Sequence, residues 1–297
     1  MPPGEVARAA PAVLLILGAF FALSSEKLRA KIEAWLSGSA PRMMIAGQAI
    51  ALPYLCYALA LGIFSTRDFV ALLVYLDLPL VILVHERRRG ATPWLDFAAL
   101  LLLWLPIEMR WLPALWSWPA GQSGRWLNGF LGALLAIFGF GVVRALPGIG
   151  FTLHCRARDL AISSAAAAAF LPIGLALGWR VGFLGHFKLP SSPAAAALRI
   201  PAIFLLTAIL EELLFRGLLQ NLLRAWTGRP WLAVGLASLC FGAAHANVGA
   251  VPDWRLPLLA TLAGLAYGWA YEKGGTLMAP ALAHTFINSF WILLFRR

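Results

Sequence analysis

Charge is scarce in this chain. Asp, Glu, Lys and Arg make up 12% of its 297 residues, against roughly 25% in a soluble globular protein. No polar stretch is long enough for a soluble domain or a linker, and no repeat period is present. Acids are scarcer than bases, 13 against 24. In a soluble chain the resulting net charge of +11 would point to nucleic acid. Here the bases stand singly or in small groups between apolar runs, as orientation signals and headgroup contacts do. The lipid bilayer is the expected partner, and nucleic acid is not. Cysteine is nearly absent: Cys56, Cys155 and Cys240 form no CxxC and no metal spacing. Cys56 and Cys240 lie in apolar runs and read as small buried hydrophobes. Also missing are HExxH of zinc peptidases, a GxSxG elbow and a second intramembrane aspartate placed for an aspartyl dyad.

What is present is apolar: 61% of residues are hydrophobic and 13 are Trp. Repeated apolar runs predict an all-α, polytopic helical membrane protein with about eight to ten transmembrane segments. Pro11–Leu23 follows Glu5 and precedes no A-x-A site, so it is expected to be an uncleaved span. Glu26–Trp35 is amphipathic and basic, suited to the membrane surface. Met43–Phe64, Phe69–Val84, Trp94–Glu108, Trp126–Val143 and Ile162–Trp179 follow as spans. The tract Ala165–Ala169 would allow close helix contacts. His85–Arg89 (HERRR) reads as a cytoplasmic marker, although Arg296 and Arg297 fall on the opposite side of that topology. Trp111, Trp116 and Trp118 resemble an interfacial aromatic belt. Leu198–Leu214, Trp231–Ala246, Leu256–Tyr271 and Leu277–Phe295 complete the set, and here titratable residues within spans become dense. The expected division is therefore functional: 1–197 is a transmembrane region without recognised motifs, and 198–297 is a core that carries them.

That core is organised around Leu205–Arg216, LLTAILEELLFR. Two adjacent glutamates in a run this apolar cost several kcal/mol unless paired, neutralised or facing a wet cavity. Arg216 is four residues after Glu212 and five after Glu211. Helical spacing therefore pairs Glu212 with Arg216 and leaves Glu211 free to titrate, as a general base requires. Both glutamates could instead simply brace Arg216. Downstream, Phe241 and His245 share a helix face in FGAAH, and His284 and Asn288 share one in HTFIN. Each alone could be an ordinary interhelical contact. Together they make a hydrolytic set. Glu211 can take a proton from water, His245 can position that water, and His284 with Asn288 can stabilise a tetrahedral oxyanion. No cofactor is required, although Glu with two His could alternatively hold zinc. A proton-coupled transporter is a further reading, kept open by Asp77, Asp96 and Glu108 in or near other spans.

EELLFR, FGAAH and HTFIN in this order resemble the EExxxR, FxxxH and HxxxN motifs of the CAAX-type prenyl endopeptidase and bacteriocin-processing family. Its members are glutamate-type intramembrane proteases. The linking stretch Leu262–His284 is similar to the family's Gly-rich helix and tight turn, so the likeness covers Leu198–Phe295. The resemblance implies a membrane-associated protein or peptide substrate, lipidated in eukaryotic members, and a metal-independent mechanism. It implies Glu211, His245, His284 and Asn288 as catalytic residues, with Glu212, Arg216 and Phe241 supporting them. A bacterial cell-membrane location is expected for so small, Ala- and Arg-rich a chain. Within the same family resemblance, a non-catalytic immunity or scaffold protein is the alternative function.

Overall fold

The computed structural model describes residues 3–90, 92–113, 115–116, 125–190, 192–247 and 253–296. Trp118 and Arg297 lie outside the described residues. The protein is all-α, 82% helical, and its only described strands are a two-residue pair. Two compact units divide between Pro147 and Gly148.

In the first unit, α1 (Pro3–Leu23) packs on α4 (Leu52–Leu61) and α7 (Arg125–Phe138). Phe20 meets Phe130 edge-on at 5.0 Å in that contact. The short α2 (Glu26–Leu36) is started by Ser25, whose hydroxyl accepts from the Leu28 N–H. The expected span Met43–Phe64 is one helical run broken by a tight turn, α3 (Ala40–Gln48), Ala49–Ala51 and α4. Pro53, which cannot donate to the ladder, sits just past that break. α5 (Thr66–Arg89) is capped by Ser65 and packs beside α3 and α6 (Pro93–Glu108). Two of the three acids that kept the transporter reading open, Asp77 and Asp96, have partners here. Asp77 accepts from Gln48 Nε2 at 3.1 Å, and Asp96 accepts a forked pair of bonds from Arg144 at 3.0 and 3.2 Å. Forked Arg–carboxylate contacts of this kind fix geometry in a buried place.

In the second unit, α8 (Ala157–Arg180) starts at a built corner. Asp159 accepts from the Arg156 backbone and Nε at 2.9 Å and from Nη2 at 2.8 Å, while Thr276 Oγ1 donates to it at 3.2 Å. Of the Ala165–Ala169 tract, Ala166 and Ala167 are buried. The next long helix is continuous but not uniform. α9 (Pro193–Ile203), α10 (Ile209–Glu212) and α11 (Asn221–Thr227) are joined by π-helical turns over Phe204–Ala208 and Leu213–Gln220. Gly228, at φ 66°, ends it in the left-handed region. The expected span Leu198–Leu214 is thus part of a longer helix, widened on both sides of the glutamates.

α12 (Pro230–Ala244) packs along α13 (Arg255–Gly274), and α13 and α14 (Met278–Leu294) both pack on α8. The chain's end leaves the helix earlier than expected. β1 (His186–Phe187) pairs antiparallel with β2 (Phe295–Arg296), so Phe295 is extended. Among the described residues, five helical segments are long and apolar enough to cross a membrane: Gly4–Leu23, Ala40–Leu61, Thr66–Arg89, Trp126–Val143 and Ala157–Arg180. α12 and α14 are apolar but shorter. Cys56 and Cys240 correct their assignment as buried hydrophobes: both are exposed on outward helix faces. Their apolar surroundings in the sequence reflect a lipid-facing surface, which has the composition of a core.

Candidate active site

The glutamates sit on one short α-helical turn, α10, between two π turns. A π turn is rare in helices and recurs at functional sites, because its extra residue re-aims neighbouring side chains. Glu212 and Arg216 are 0% exposed, and Arg216 Nη1 lies 3.0 Å from both carboxylate oxygens, with hydrogen-bond geometry to Oε1. The same guanidinium donates from Nη2 to the Gly264 carbonyl at 3.0 Å. Its carbon lies 4.7 Å from the Phe241 ring centre and 5.3 Å from that of Tyr267. A delocalised, weakly hydrated cation suits this sandwich better than an ammonium would.

Close approach to α13 depends on glycine. A Cβ at position 264 would meet Arg216 Nη2 at 3.2 Å and Ser238 Cβ at 3.1 Å. One turn on, a Cβ at 268 would meet Gln220 Oε1 at 2.9 Å and Val234 Cγ1 at 2.8 Å. Gln220 Nε2 donates to the Gly268 carbonyl at 3.2 Å and to Glu272 at 3.0 Å. The helix pair is therefore tied by two buried side chains, four residues apart, reaching over bare backbone.

His284 on α14 faces both glutamates. Nδ1 lies 2.8 Å from Glu212 Oε1, and Nε2 lies 3.9 Å from Glu211 Oε2. A carboxylate can only accept, so Nδ1 carries the proton and Nε2 is the nitrogen turned to Glu211. The ring is clamped, stacked on Tyr267 at 4.6 Å and 10° and met edge-on by Phe241 at 5.8 Å. Glu211 differs from its neighbour: its side chain is 32% exposed, and the Oε2 that faces His284 is buried without a hydrogen-bond partner among the described residues. Glu211 thus has a neighbour from another helix, where helical spacing alone left it unpartnered.

His245 occupies a different station. It follows the last residue of α12 in a short 3₁₀ turn, and its Nδ1 bonds the Phe241 carbonyl at 2.8 Å. A carbonyl only accepts, so Nδ1 is protonated, and in the neutral ring Nε2 is the acceptor. Among the described residues no ion pair joins His245 to either glutamate; its ring packs on Phe241 at 4.7 Å. Asn288 stands one turn after His284 on α14 and is partly exposed. Phe241 lies among Phe215, Tyr267, Arg216, His245 and His284. For the zinc alternative, no three His, Cys, Asp or Glu among the described residues group as a metal ion requires. Sequence reasoning missed Tyr267, Gly264 and Gln220. The available signals were the four-residue step from Arg216 to Gln220 and the matching step from Gly264 to Gly268.

These features define an integral membrane protein of helical type, with a buried acid–base cluster in its second unit. Residues 193–290 match the family described as type II CAAX prenyl endopeptidase Rce1-like. The resemblance read from the three motifs thus holds for that segment. Over 93 residues the chain is 36% identical to the uncharacterized protein YpbD of Bacillus subtilis (strain 168), covering 30% of this chain and 43% of that protein. The chain therefore spans less than half the length of this curated relative. No solved structure matches.

Proposed function

We propose that the protein is an intramembrane endopeptidase that hydrolyses a peptide bond of a membrane-associated protein or peptide, using water activated by Glu211. One observation carries this reading. Two adjacent carboxylates meet one histidine, yet Glu212 is sealed and paired with Arg216 while Glu211 is partly exposed and its Oε2 has no hydrogen-bond partner among the described residues. Environments that separate like groups mark the reacting one. The segment's match to an endopeptidase family supports the reaction class.

In this mechanism Glu211 takes a proton as the water oxygen attacks the scissile carbonyl carbon. The carbonyl electrons move to oxygen, and His284 with Asn288 donate hydrogen bonds to that oxyanion. Nδ1–H of His284 is already committed to Glu212, so donation from Nε2 requires the doubly protonated ring. His245 positions the water through its free Nε2. The intermediate collapses, and Glu211 returns its proton to the leaving amine. Glu212, Arg216 and Phe241 hold the geometry.

The test is cleavage of a panel of farnesylated and unlipidated membrane-associated peptides in liposomes, by wild type, Glu211→Gln and Glu212→Gln. Glu211→Gln is expected to lower turnover by about 10³-fold, within the range for loss of a general base, without altering folding. Turnover equal to wild type in that variant would remove the mechanism. Loss of wild-type activity to a chelator, with recovery on zinc, would move the chemistry to a metal. Absence of cleavage across the panel would favour the non-catalytic reading.

A further inference from the structure

We propose that the C-terminal half of α5 carries a binding site for one anionic phospholipid, separate from the acid–base cluster. A half-open surface pocket of about 450 Å³ there is lined by Val81, Val84, His85, Arg88 and Arg89. Its size falls within the roughly 300–1,000 Å³ of small-molecule sites. These residues recur at steps of three and four and so share one side of the helix.

The same side continues toward the helix start as an apolar strip. Val70, Val74 and Leu78 are each 50% exposed, and Val81 is 57% exposed. One helix face is therefore apolar for about three turns, interrupted at its edge by the half-buried Asp77, which accepts from Gln48, and cationic in its last two. Thr66–Arg89 is long and apolar enough to cross a membrane, which brings this last stretch to headgroup depth.

Two neighbouring charges are accounted for elsewhere. Arg87 is spent on Glu33 at 2.8 Å. Glu86, the only acid in this turn, is buried and bonded to the Thr92 backbone N–H, turned away from the cavity. Basic residues at a helix C-terminus also complement its dipole. That explains a positive last turn, but not a cavity whose wall changes from valine to arginine. Arg88 and Arg89 have no hydrogen-bond or ion-pair partner among the described residues, and two arginines offer forked donors for a phosphodiester. A free phosphate would need only the cationic end. The valines of the same wall favour a ligand with an acyl chain joined to its phosphate.

The full chain in detergent, followed by native mass spectrometry, should bind phosphatidylglycerol at least tenfold more tightly than phosphatidylcholine. Arg88→Gln with Arg89→Gln is expected to weaken phosphatidylglycerol binding by roughly tenfold to thirtyfold, about one step per arginine near a headgroup. Val81→Ser should weaken the lipid and leave inorganic phosphate unaffected. Arg67→Gln, an exposed base at the other end of α5, should change nothing. Equal retention of the two lipids by wild type, or unchanged phosphatidylglycerol affinity in the double variant, would overturn the site. If inorganic phosphate competes fully at equal concentration and Val81→Ser has no effect, the lipid assignment is overturned. Should the double variant fail to fold, the two-lipid comparison on wild type decides alone.

Discussion

Replacing Arg216 by methionine tests whether the cluster is a coupled unit. The side chain is fully enclosed, bonded to Glu212 and to the Gly264 carbonyl, and faced by Phe241 and Tyr267. Methionine fills much of the volume and removes the charge, leaving a buried carboxylate. Breaking a buried pair on one side costs about 3–5 kcal/mol. The surviving 2.8 Å contact between Glu212 and His284 should hold the loss near the lower end. Adding Glu212→Gln removes the stranded charge, and the amide oxygen can still accept from His284 Nδ1. The double variant should therefore be more stable than Arg216→Met alone, or at least recover about 2 kcal/mol of the summed single losses, within the range for contacting pairs. Denaturant unfolding in micelles, followed by the fluorescence of the 13 tryptophans, measures all four corners of the cycle. Additivity within about 0.5 kcal/mol would refute the coupling.

Two further predictions concern backbone approach. Gly264→Ala places a methyl 3.2 Å from Arg216 Nη2 and 3.1 Å from Ser238; overpacking of this size costs about 1–3 kcal/mol, and turnover should fall with it. Full stability and activity would mean that α13 shifts freely. Gly150→Ala meets both a left-handed backbone, φ 66°, and the Gly275 carbonyl at 2.9 Å. Its own carbonyl accepts from Leu277 at 2.9 Å, so its unfolding midpoint should drop by the equivalent of about 1–3 kcal/mol; an unchanged midpoint would refute the strain.

The sequence disclosed a side-chain pairing of the second unit better than the unit's shape. Glu212 and Arg216 are four apart, and that spacing alone paired them correctly, even across a π turn. Apolar periodicity marked the membrane helices because lipid contact and burial both select hydrophobic residues. The same ambiguity misled at Cys56 and Cys240, which are exposed in apolar surroundings. The partner of Glu211 was hidden because His284 arrives from a helix more than seventy residues later, and no local spacing encodes that meeting. Asp96 looked like a transport acid because its arginine, Arg144, also lies far along the chain, 48 residues on. The structural division at Pro147 was illegible because α8, which packs on α13 and α14, carries no titratable motif of its own. The boundary near residue 197 marks where motif residues begin.

The two π turns beside the glutamates also affect how this helix can change. Each carries one residue more than an α turn would, and one residue is about 100° of rotation. Upstream and downstream segments of Pro193–Thr227 are therefore out of phase with each other. Deleting one residue within Leu213–Gln220 could let that turn close into regular helix, leaving Glu212 in place while swinging Arg224 and its contact with Glu272 around the axis. The helix behaves as three rotors on one shaft, and the phase between them, as much as residue identity, sets which side chains reach the cluster.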